Sequence, residues 1–153
     1  MESREIKERV QAAIDQLKKS DIYLLENNLN ERCIASRLAM YLQNAFTEFS
    51  VDVEYNRKGV NPKAVGLPEE CGNRRDDEGH VLVVPDIIVH SRGEKGPNIL
   101  ALELKKSTNR ESRDCDSKRI HAFREQLGYI CAATIECETR ENHEPRAAIV
   151  EWL

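Results

Sequence analysis

Two apolar segments joined by a Gly/Pro-rich turn constrain the fold of this chain more than any other feature of its sequence. The first segment reads VLVVPDIIVH (residues 81–90), the turn reads SRGEKGPN, and the second segment reads ILALELKK (residues 99–106). Runs of this length with many β-branched residues predict two strands, and their connection predicts a hairpin. Because the runs are almost continuously apolar, both faces must be covered, as in the centre of an α/β sheet.

Helices and further strands are predicted on both sides of the hairpin. Apolar residues recur at helical spacing in two segments before it and in one segment after it. The predicted helices cover residues 3–19, about 28–47 and about 115–129, and the other strands cover residues 51–55, 130–137 and 146–153. The order α-α-β-β-β-α-β-β predicts a single α/β domain over residues 1–153, in which a mixed sheet is flanked by helices.

Residues 58–80 interrupt this regular pattern. Four of the seven glycines and two of the five prolines lie in this segment. Such a composition predicts a long, polar and mobile loop. Loops of this length in a compact domain are either functional or disordered, and the sequence leaves both alternatives open.

Composition excludes several classes of protein. Hydrophobic residues make up 40% of the 153 residues and charged residues 33%, which is too apolar a balance for intrinsic disorder. Aromatic residues make up only 5%, so a stacking platform for single-stranded nucleic acid is not expected. The formal net charge of −4 argues against a general nucleic-acid coat protein, although residues 90–125 carry a net charge of +3.

The five cysteines predict a reducing compartment. An odd number of cysteines without a CxxC pair disfavours both structural zinc and a disulfide framework, so reduced thiols are expected. Cys131 and Cys137 share a face of one predicted strand, which suits small buried residues. No apolar segment is long enough to span a membrane, and the N-terminus lacks the apolar core of a secretory signal. We therefore expect a cytoplasmic protein without a membrane partner.

Each segment of the hairpin carries charge where a buried strand should have none. Asp86 interrupts the first segment, with Val84 and Ile88 on its own face, and a second charged cluster, Glu103 and Lys105, interrupts the other segment. Burying an isolated charge is costly, so these groups need partners. Across the hairpin the two carboxylates come close together, where they repel each other unless a cation bridges them. Oxygen ligands with open water positions are typical of Mg²⁺ or Mn²⁺ sites.

Pro85–Asp86 followed by Glu103–Leu104–Lys105 resembles the signature of the PD-(D/E)XK nuclease superfamily. The resemblance covers about residues 28–129, because the restriction-endonuclease-like core of that family is also a helix, a three-stranded meander, a helix and a further strand. It implies a metal-dependent enzyme that hydrolyses DNA phosphodiester bonds with Mg²⁺, for which Mn²⁺ is a substitute. Asp86 and Glu103 would hold the metal, with the carbonyl of Leu104 as an extra ligand. Lys105 would position the attacking water.

Glu31 is a fourth residue that matches the family. Many members carry a glutamate on the helix before the meander, close to the metal, and Glu31 begins the apolar stripe continued by Ile34 and Leu38. The resemblance therefore implies a catalytic and metal-binding role for Glu31. The alternative is a capping box in which Glu31 is the reciprocal partner of Asn28, and both interpretations stay open.

Residues on and before the last predicted helix are candidates for contact with substrate. Gln126 and Tyr129 resemble an accessory Gln and Tyr that helicase-linked members carry beside the active site, although the spacing here is one residue shorter. A basic run is placed to hold phosphates at the mouth of the cleft. For both sets the alternative is a solvated surface. The basic run comprises Lys106, Arg110, Arg113, Lys118 and Arg119.

Three functions are compatible with these patterns. The first is a metal-dependent deoxyribonuclease, and the second is a catalytically inactive nuclease-fold module that binds nucleic acid or assembles with other proteins. The third is an interaction protein in which Lys105 forms a buried ion pair with Glu103 or Asp86. Because little surface beyond the core is left to read bases, a homodimer or a partner subunit is expected to supply more. The N-terminal helix lies outside the minimal family core and is the candidate interface, and covering the sheet is its simpler alternative role.

Overall fold

A mixed five-stranded sheet with helices on both faces organises the chain, of which the computed structural model describes residues 1–58, 61–72, 74–93 and 95–153. The helices are α1 (Ser3–Ser20), α2 (Ile22–Glu26), α3 (Glu31–Ala45) and α4 (Arg113–Leu127), and a 3-10 turn covers Glu69–Cys71. The strands are β1 (Ser50–Val53), β2 (Arg57–Lys58), β3 (Asn61–Pro62), β4 (Ala64–Val65), β5 (Val81–Leu82), β6 (Ile87–His90), β7 (Asn98–Lys106), β8 (Cys131–Glu138) and β9 (Arg146–Trp152).

The order of strands in the central sheet is β1-β6-β7-β8-β9. Strands β1, β6 and β7 are antiparallel neighbours, β8 is parallel to β7, and β9 returns antiparallel to β8. A parallel neighbour needs a crossover connection, which α4 supplies between β7 and β8. The predicted α/β class, with a mixed sheet between helices, is confirmed.

Alternation along β7 divides the core into two layers. Leu100, Leu102 and Leu104 pack with the apolar stripes of α1 and α3 on one face of the sheet. Ala101 packs on the other face with Phe123 and the rest of the apolar side of α4. Each fully buried leucine contributes about 1.5–3 kcal/mol to stability. No helix in the described part of the chain is long and apolar enough to cross a membrane.

The first strand of the predicted hairpin is divided in two by Pro85. Residues Val81–Leu82 form β5, which pairs with β4 in a separate two-stranded sheet, and the main sheet begins only at Ile87. Proline has no N–H to donate to a ladder, so it is disfavoured within a central strand. Asp86 therefore lies at the entrance of β6 and not inside a continuous strand, and Val84 is exposed.

The second predicted helix begins three residues later than expected. Asn28 has a positive φ of 52°, and Asn30 is the N-cap, with its side-chain oxygen 2.8 Å from the backbone nitrogen of Cys33. A side-chain acceptor at this position satisfies one of the unpaired N–H groups of the first turn. The prediction of Asn28 as the cap is wrong, and the short helix α2 was not predicted.

The segment from residue 58 to residue 80 contains short paired strands and a disulfide. Strand β3 pairs with β2, and β4 pairs with β5. Cys71, at the end of the 3-10 turn, forms a disulfide with Cys115 in the first turn of α4. The expectation that all five cysteines are thiols is therefore wrong. Their separation of 44 residues gives no pairing signal, whereas folding brings their Cα atoms to 5.2 Å.

Candidate functional site

The two carboxylates of the sequence motif lie at one end of the central sheet. Ile87 of β6 is paired with Leu102 of β7, so continuing this register by one residue sets Asp86 opposite Glu103. The Oδ2 atom of Asp86 accepts a hydrogen bond of 2.6 Å from the backbone N–H of Leu104. The strand pairing and this hydrogen bond together fix the Asp86 carboxylate beside β7.

Both carboxylates are held in surroundings that disfavour their charged forms. Burial raises the pKa of Asp86 to about 6, opposing the N–H of Leu104, and the charges of Glu31 and Glu54 raise it further. Burial, followed by the charge of Asp86, raises the pKa of Glu103 well above its ordinary value. Two carboxylates in this relation titrate as a pair and share a proton, or else they need a cation between them.

Glu103 has no compensating contact in the described part of the chain. Within the residues that the structure describes, its carboxylate accepts no hydrogen bond and forms no ion pair, although Arg119 is close enough for its charge to lower the pKa. The residue is half-buried and lines a cavity, so its carboxylate oxygens are open to water or to a ligand. The acceptor capacity of Glu103 is therefore available to a ligand.

Glu31, the first residue of α3, reaches across to the end of β7. Its Oε1 atom accepts hydrogen bonds from the backbone N–H of Lys106 at 3.2 Å and from the side-chain amide of Asn109 at 3.1 Å. The alternative of a capping box with Asn28 is therefore wrong, because Asn30 caps the helix and Glu31 faces the site. Its charge also acts on Asp86 and Glu103.

Two cavities border the carboxylates. A cleft of about 590 Å³ opens on the side of α3 and includes Asp86 among its lining residues. A second cavity of about 280 Å³ opens on the side of α4 and is lined in part by Glu103, Arg74 and Arg119. The site is thus accessible from two directions. The other polar residues around the larger cleft are Asn30, Glu31, Arg32, Glu54, Lys106, Thr108 and Asn109.

Lys105 is buried on the α4 side of the sheet and is paired with a residue that the sequence did not reveal. Its side-chain nitrogen donates to Oδ2 of Asp116 on α4, and the whole residue is 2% exposed. The predicted alternative, an ion pair with Glu103 or Asp86, is wrong. In the sequence, Asp116 is an acidic residue in the first turn of a helix, where a negative charge interacts favourably with the helix dipole. Because this local role is enough to account for Asp116, its contact with Lys105 was not predicted.

The predicted basic run divides into residues that line the cavities and residues paired elsewhere. Lys106 lines the larger cleft and Arg119 lines the smaller cavity. Lys118 is paired with Asp114 at 2.7 Å on its own helix. Arg113, which the run also includes, is 2.6 Å from Glu136, and Arg110 is exposed.

Gln126 and Tyr129 have contacts that stabilise the fold. The side-chain amide of Gln126 accepts from the N–H of Gly66 at 2.7 Å and donates to its carbonyl at 3.1 Å. Tyr129 follows the end of α4, which Gly128 terminates with a left-handed backbone conformation, and its ring is buried in the core beneath that helix. Its hydroxyl has no hydrogen-bond partner among the described residues.

The donor set is compatible with Mg²⁺ although it is small. In the described part of the chain, no group of three or more His, Cys, Asp or Glu side chains is arranged to hold a metal ion. Mg²⁺ is nevertheless commonly held by one or two carboxylates, with water and substrate phosphate completing the octahedron. Asp86 and Glu103 supply this minimum, and the unpartnered carboxylate of Glu103 is the observation that favours a cation.

Comparison with known proteins identifies no relative of this chain. No protein-family model matches the chain, and no significant match is found among curated proteins or solved structures.

Proposed function

We propose that this protein is a metal-dependent nuclease that hydrolyses DNA phosphodiester bonds. The observation that carries the proposal is the pair Asp86 and Glu103, two carboxylates with raised pKa values on facing strands, with cavities on both sides. Pairs of perturbed acidic groups in a cleft are typical of active sites. Lys105, two residues along β7, adds the cation that completes the motif.

The order of elements around the pair supports the same proposal. Helix α3 precedes three antiparallel strands, β1, β6 and β7, and α4 then leads to the parallel strand β8. This order resembles the helix, meander, helix and strand of the restriction-endonuclease-like core. In this comparison α1 and β9 are additions to the core, and Glu31 occupies the helix on which many members of that family carry a glutamate.

Asp86 and Glu103 are the residues that would hold Mg²⁺ or Mn²⁺. When bound, such an ion lowers the pKa of a coordinated water and neutralises charge on the scissile phosphate. The protein's own contribution is to keep the two carboxylates fixed. The N–H of Leu104 holds Asp86, and the pairing of β6 with β7 sets Glu103 opposite.

Other side chains would orient the substrate. Lys106 lines the larger cleft and is placed to meet phosphate oxygens, whereas Arg32 in the same cleft is paired with Glu54 at 3.1 Å. Glu31 accepts from the backbone of Lys106 and from Asn109, so it fixes the chain where β7 enters the following turn. The buried ammonium of Lys105 supplies positive charge on the Glu103 side of the sheet.

A plasmid-nicking assay with Mn²⁺ tests the activity. We expect the native protein to nick supercoiled DNA and Lys105→Ala to lose about 10²–10⁴-fold in rate, the usual contribution of a positioned group in proton transfer. Lys118→Ala is the matched control, because Lys118 is paired with Asp114 on the surface of α4. Equal activity of the native protein and Lys105→Ala, or no activity in either, would contradict the proposal.

Metal binding is measured separately by calorimetry. Asp86→Ala and Glu103→Ala should each abolish binding of Mn²⁺, whereas Asp114→Ala, which removes an exposed carboxylate of α4, should not. Binding that both site variants retain would show that the metal lies elsewhere.

A catalytically inactive module that binds nucleic acid is the second candidate. It is favoured by the orientation of Lys105, whose ammonium is paired with Asp116 and not with the motif carboxylates. This candidate predicts DNA binding without any nicking by the native protein. Retention on DNA in a gel-shift assay, together with unchanged plasmid in Mn²⁺, would therefore select it over the nuclease.

A further inference from the structure

We propose that Asp116 is a positioning residue of this site, which holds the ammonium of Lys105 in place and is itself fixed by Arg119. The inference rests on the proposed function, because Lys105 matters to catalysis only if the site is a nuclease. It adds two residues of α4 that the PD-(D/E)XK motif does not contain.

Lys105 needs a partner that determines where its ammonium lies. The side chain is a flexible four-carbon stem with three rotatable donors, so it does not fix its own orientation. It is buried, and a buried ammonium without a counter-charge is strongly unfavourable. Within the described residues, the ion pair that the ammonium forms is with Oδ2 of Asp116. Asp116 therefore sets the direction of this side chain.

Asp116 is in turn fixed from its other oxygen. A guanidinium nitrogen of Arg119 lies 3.3 Å from Oδ1, and a second one donates to the carbonyl of Cys71 at 3.3 Å. Each carboxylate oxygen thus has its own cation, and a backbone carbonyl anchors one of these cations. The disulfide between Cys71 and Cys115 links that carbonyl to the residue next to Asp116.

Asp116 and Arg119 lie close to the motif carboxylate Glu103. Arg119 lines the same cavity of about 280 Å³ as Glu103. The charges of Asp116 and Arg119 also shift the pKa of Glu103 in opposite directions, which places both of them within electrostatic range of it. The buried Lys105–Asp116 pair is thus joined through Arg119 to the cavity that Glu103 lines.

The kinetic test uses Asp116→Asn, which keeps the shape of the side chain and removes its charge. We expect kcat for Mn²⁺-dependent nicking to fall about 10–100-fold, the usual effect of losing a group that orients a ligand or catalytic residue. The KM for DNA should stay unchanged, and Asp116→Glu should restore most of the activity. Asp114→Asn on the same helix is the control and should behave as the native protein. Native kcat in Asp116→Asn would overturn the proposal.

A second readout does not depend on activity. An N-hydroxysuccinimide ester acetylates a lysine only when its amine has left its ion pair and lost its proton. The rate of acetylation of Lys105, followed by mass spectrometry, therefore reports how firmly this side chain is held. The reaction should be several-fold faster in Asp116→Asn than in the native protein. Lys63 is the internal reference, since it is also buried but donates to the carbonyls of Tyr55 and Arg57.

Failure of the positioning role of Asp116 and failure of the proposed nuclease activity are distinguishable. Unchanged acetylation of Lys105 in Asp116→Asn overturns the positioning role whether or not the protein cleaves DNA. A parallel rise at Lys63 indicates general loosening of the fold and also overturns it. Absence of nicking by the native protein, with Lys105 acetylation raised as expected, overturns the proposed nuclease activity instead.

Discussion

Asp86 and Glu103 are two carboxylates at the same end of two facing strands, and burial raises the pKa of each. A carboxylate with a raised pKa is most stable in the folded protein when it is protonated. Above the pKa of Asp86, the folded state must hold negative charge in a poorly solvated place. The site therefore lowers the stability of the metal-free protein near neutral pH, and a bound cation would remove that penalty.

A pH dependence of stability follows from Asp86. Its pKa rises from an ordinary value of about 4 to about 6 on folding. The folded state binds more protons than the unfolded state between these values, so its stability is greatest below pH 4 and falls as the pH rises to 6. The loss amounts to at most about 3 kcal/mol. Urea unfolding of metal-free protein across this range measures it.

The matched comparison is Asp86→Asn. Asparagine keeps an oxygen to accept the N–H of Leu104 but does not titrate. The difference in unfolding free energy between the variant and the native protein should grow in favour of the variant from pH 4 to pH 6. Acidic groups away from the site, such as Asp52 beside Arg92, have lowered pKa values and act in the opposite direction, but they cancel in this difference. Glu103 does not cancel, because the charge of Asp86 raises its pKa, so the difference reports the titration of the pair. A difference that does not change with pH would contradict the raised pKa of Asp86.

At the scale of elements, the first turn of α4 is connected to the segment before β5. The disulfide joins Cys115 to Cys71, and Gln126 near the other end of α4 binds both backbone groups of Gly66. These contacts hold residues 66–71 along the length of the helix. Helix α4 also supplies Asp116 and Arg119, so the same contacts limit movement of groups close to Glu103.

Reduction of the disulfide should destabilise the protein. A cross-link of this kind restricts the unfolded chain, and its loss typically costs about 2–4 kcal/mol. We expect a dithiol reductant, or the Cys71→Ser and Cys115→Ser double variant, to lower the urea midpoint accordingly.

Cys33→Ser is the control for this experiment, because Cys33 is a half-buried free thiol on α3. It should leave the midpoint nearly unchanged and preserve the response to reductant. A native protein whose midpoint is the same with and without reductant would contradict a stabilising role for the disulfide.

At the scale of the whole molecule, charge is unevenly distributed along a chain whose formal net charge is −4. Residues 90–125, which contain Glu103 and Lys105, carry a net charge of +3, whereas the segments before and after them each carry a net negative charge. Part of the positive charge is neutralised within the protein, as at Lys118 and Arg113. Binding of DNA should therefore be weak, confined to one face and sensitive to salt.

Salt dependence tests which lysine meets phosphate. In binding to duplex DNA without divalent metal, Lys106→Gln should reduce the slope of log K against log salt by about 1, the value for one lost phosphate contact. Lys106 is chosen because it lines the larger cleft, and Lys118→Gln is the matched control, because that lysine is already paired with Asp114. Equal slopes for Lys106→Gln and the native protein would remove the larger cleft as the path of the DNA.

The elements that sequence predicts best are those whose pattern is local. The stripe Ile6, Val10, Ile14 and Leu17 is buried on α1, and Cys131 is buried on β8, as expected. Helical and strand periodicity repeat within a few residues, so no distant information is needed to recognise them. The features missed were long-range. The Cys71–Cys115 disulfide and the Lys105–Asp116 pair join residues that are far apart in the sequence or on different elements. The local sequence around each of these residues suggests a different role, so neither contact was predicted.

The sequence by itself determined the α/β class, the central hairpin and the charged positions Asp86, Glu103 and Lys105. Apolar periodicity and its interruptions are local features that can be recognised from neighbouring residues alone. The tertiary structure alone decided which charges meet. In the folded chain the first strand is interrupted at Pro85, and Asp86 lies opposite Glu103. Glu31 accepts hydrogen bonds at the end of β7 and does not cap its own helix, and Lys105 is paired with Asp116. Charges interact through space over a few ångströms, and only packing of α3 and α4 on the sheet brings these groups within that range.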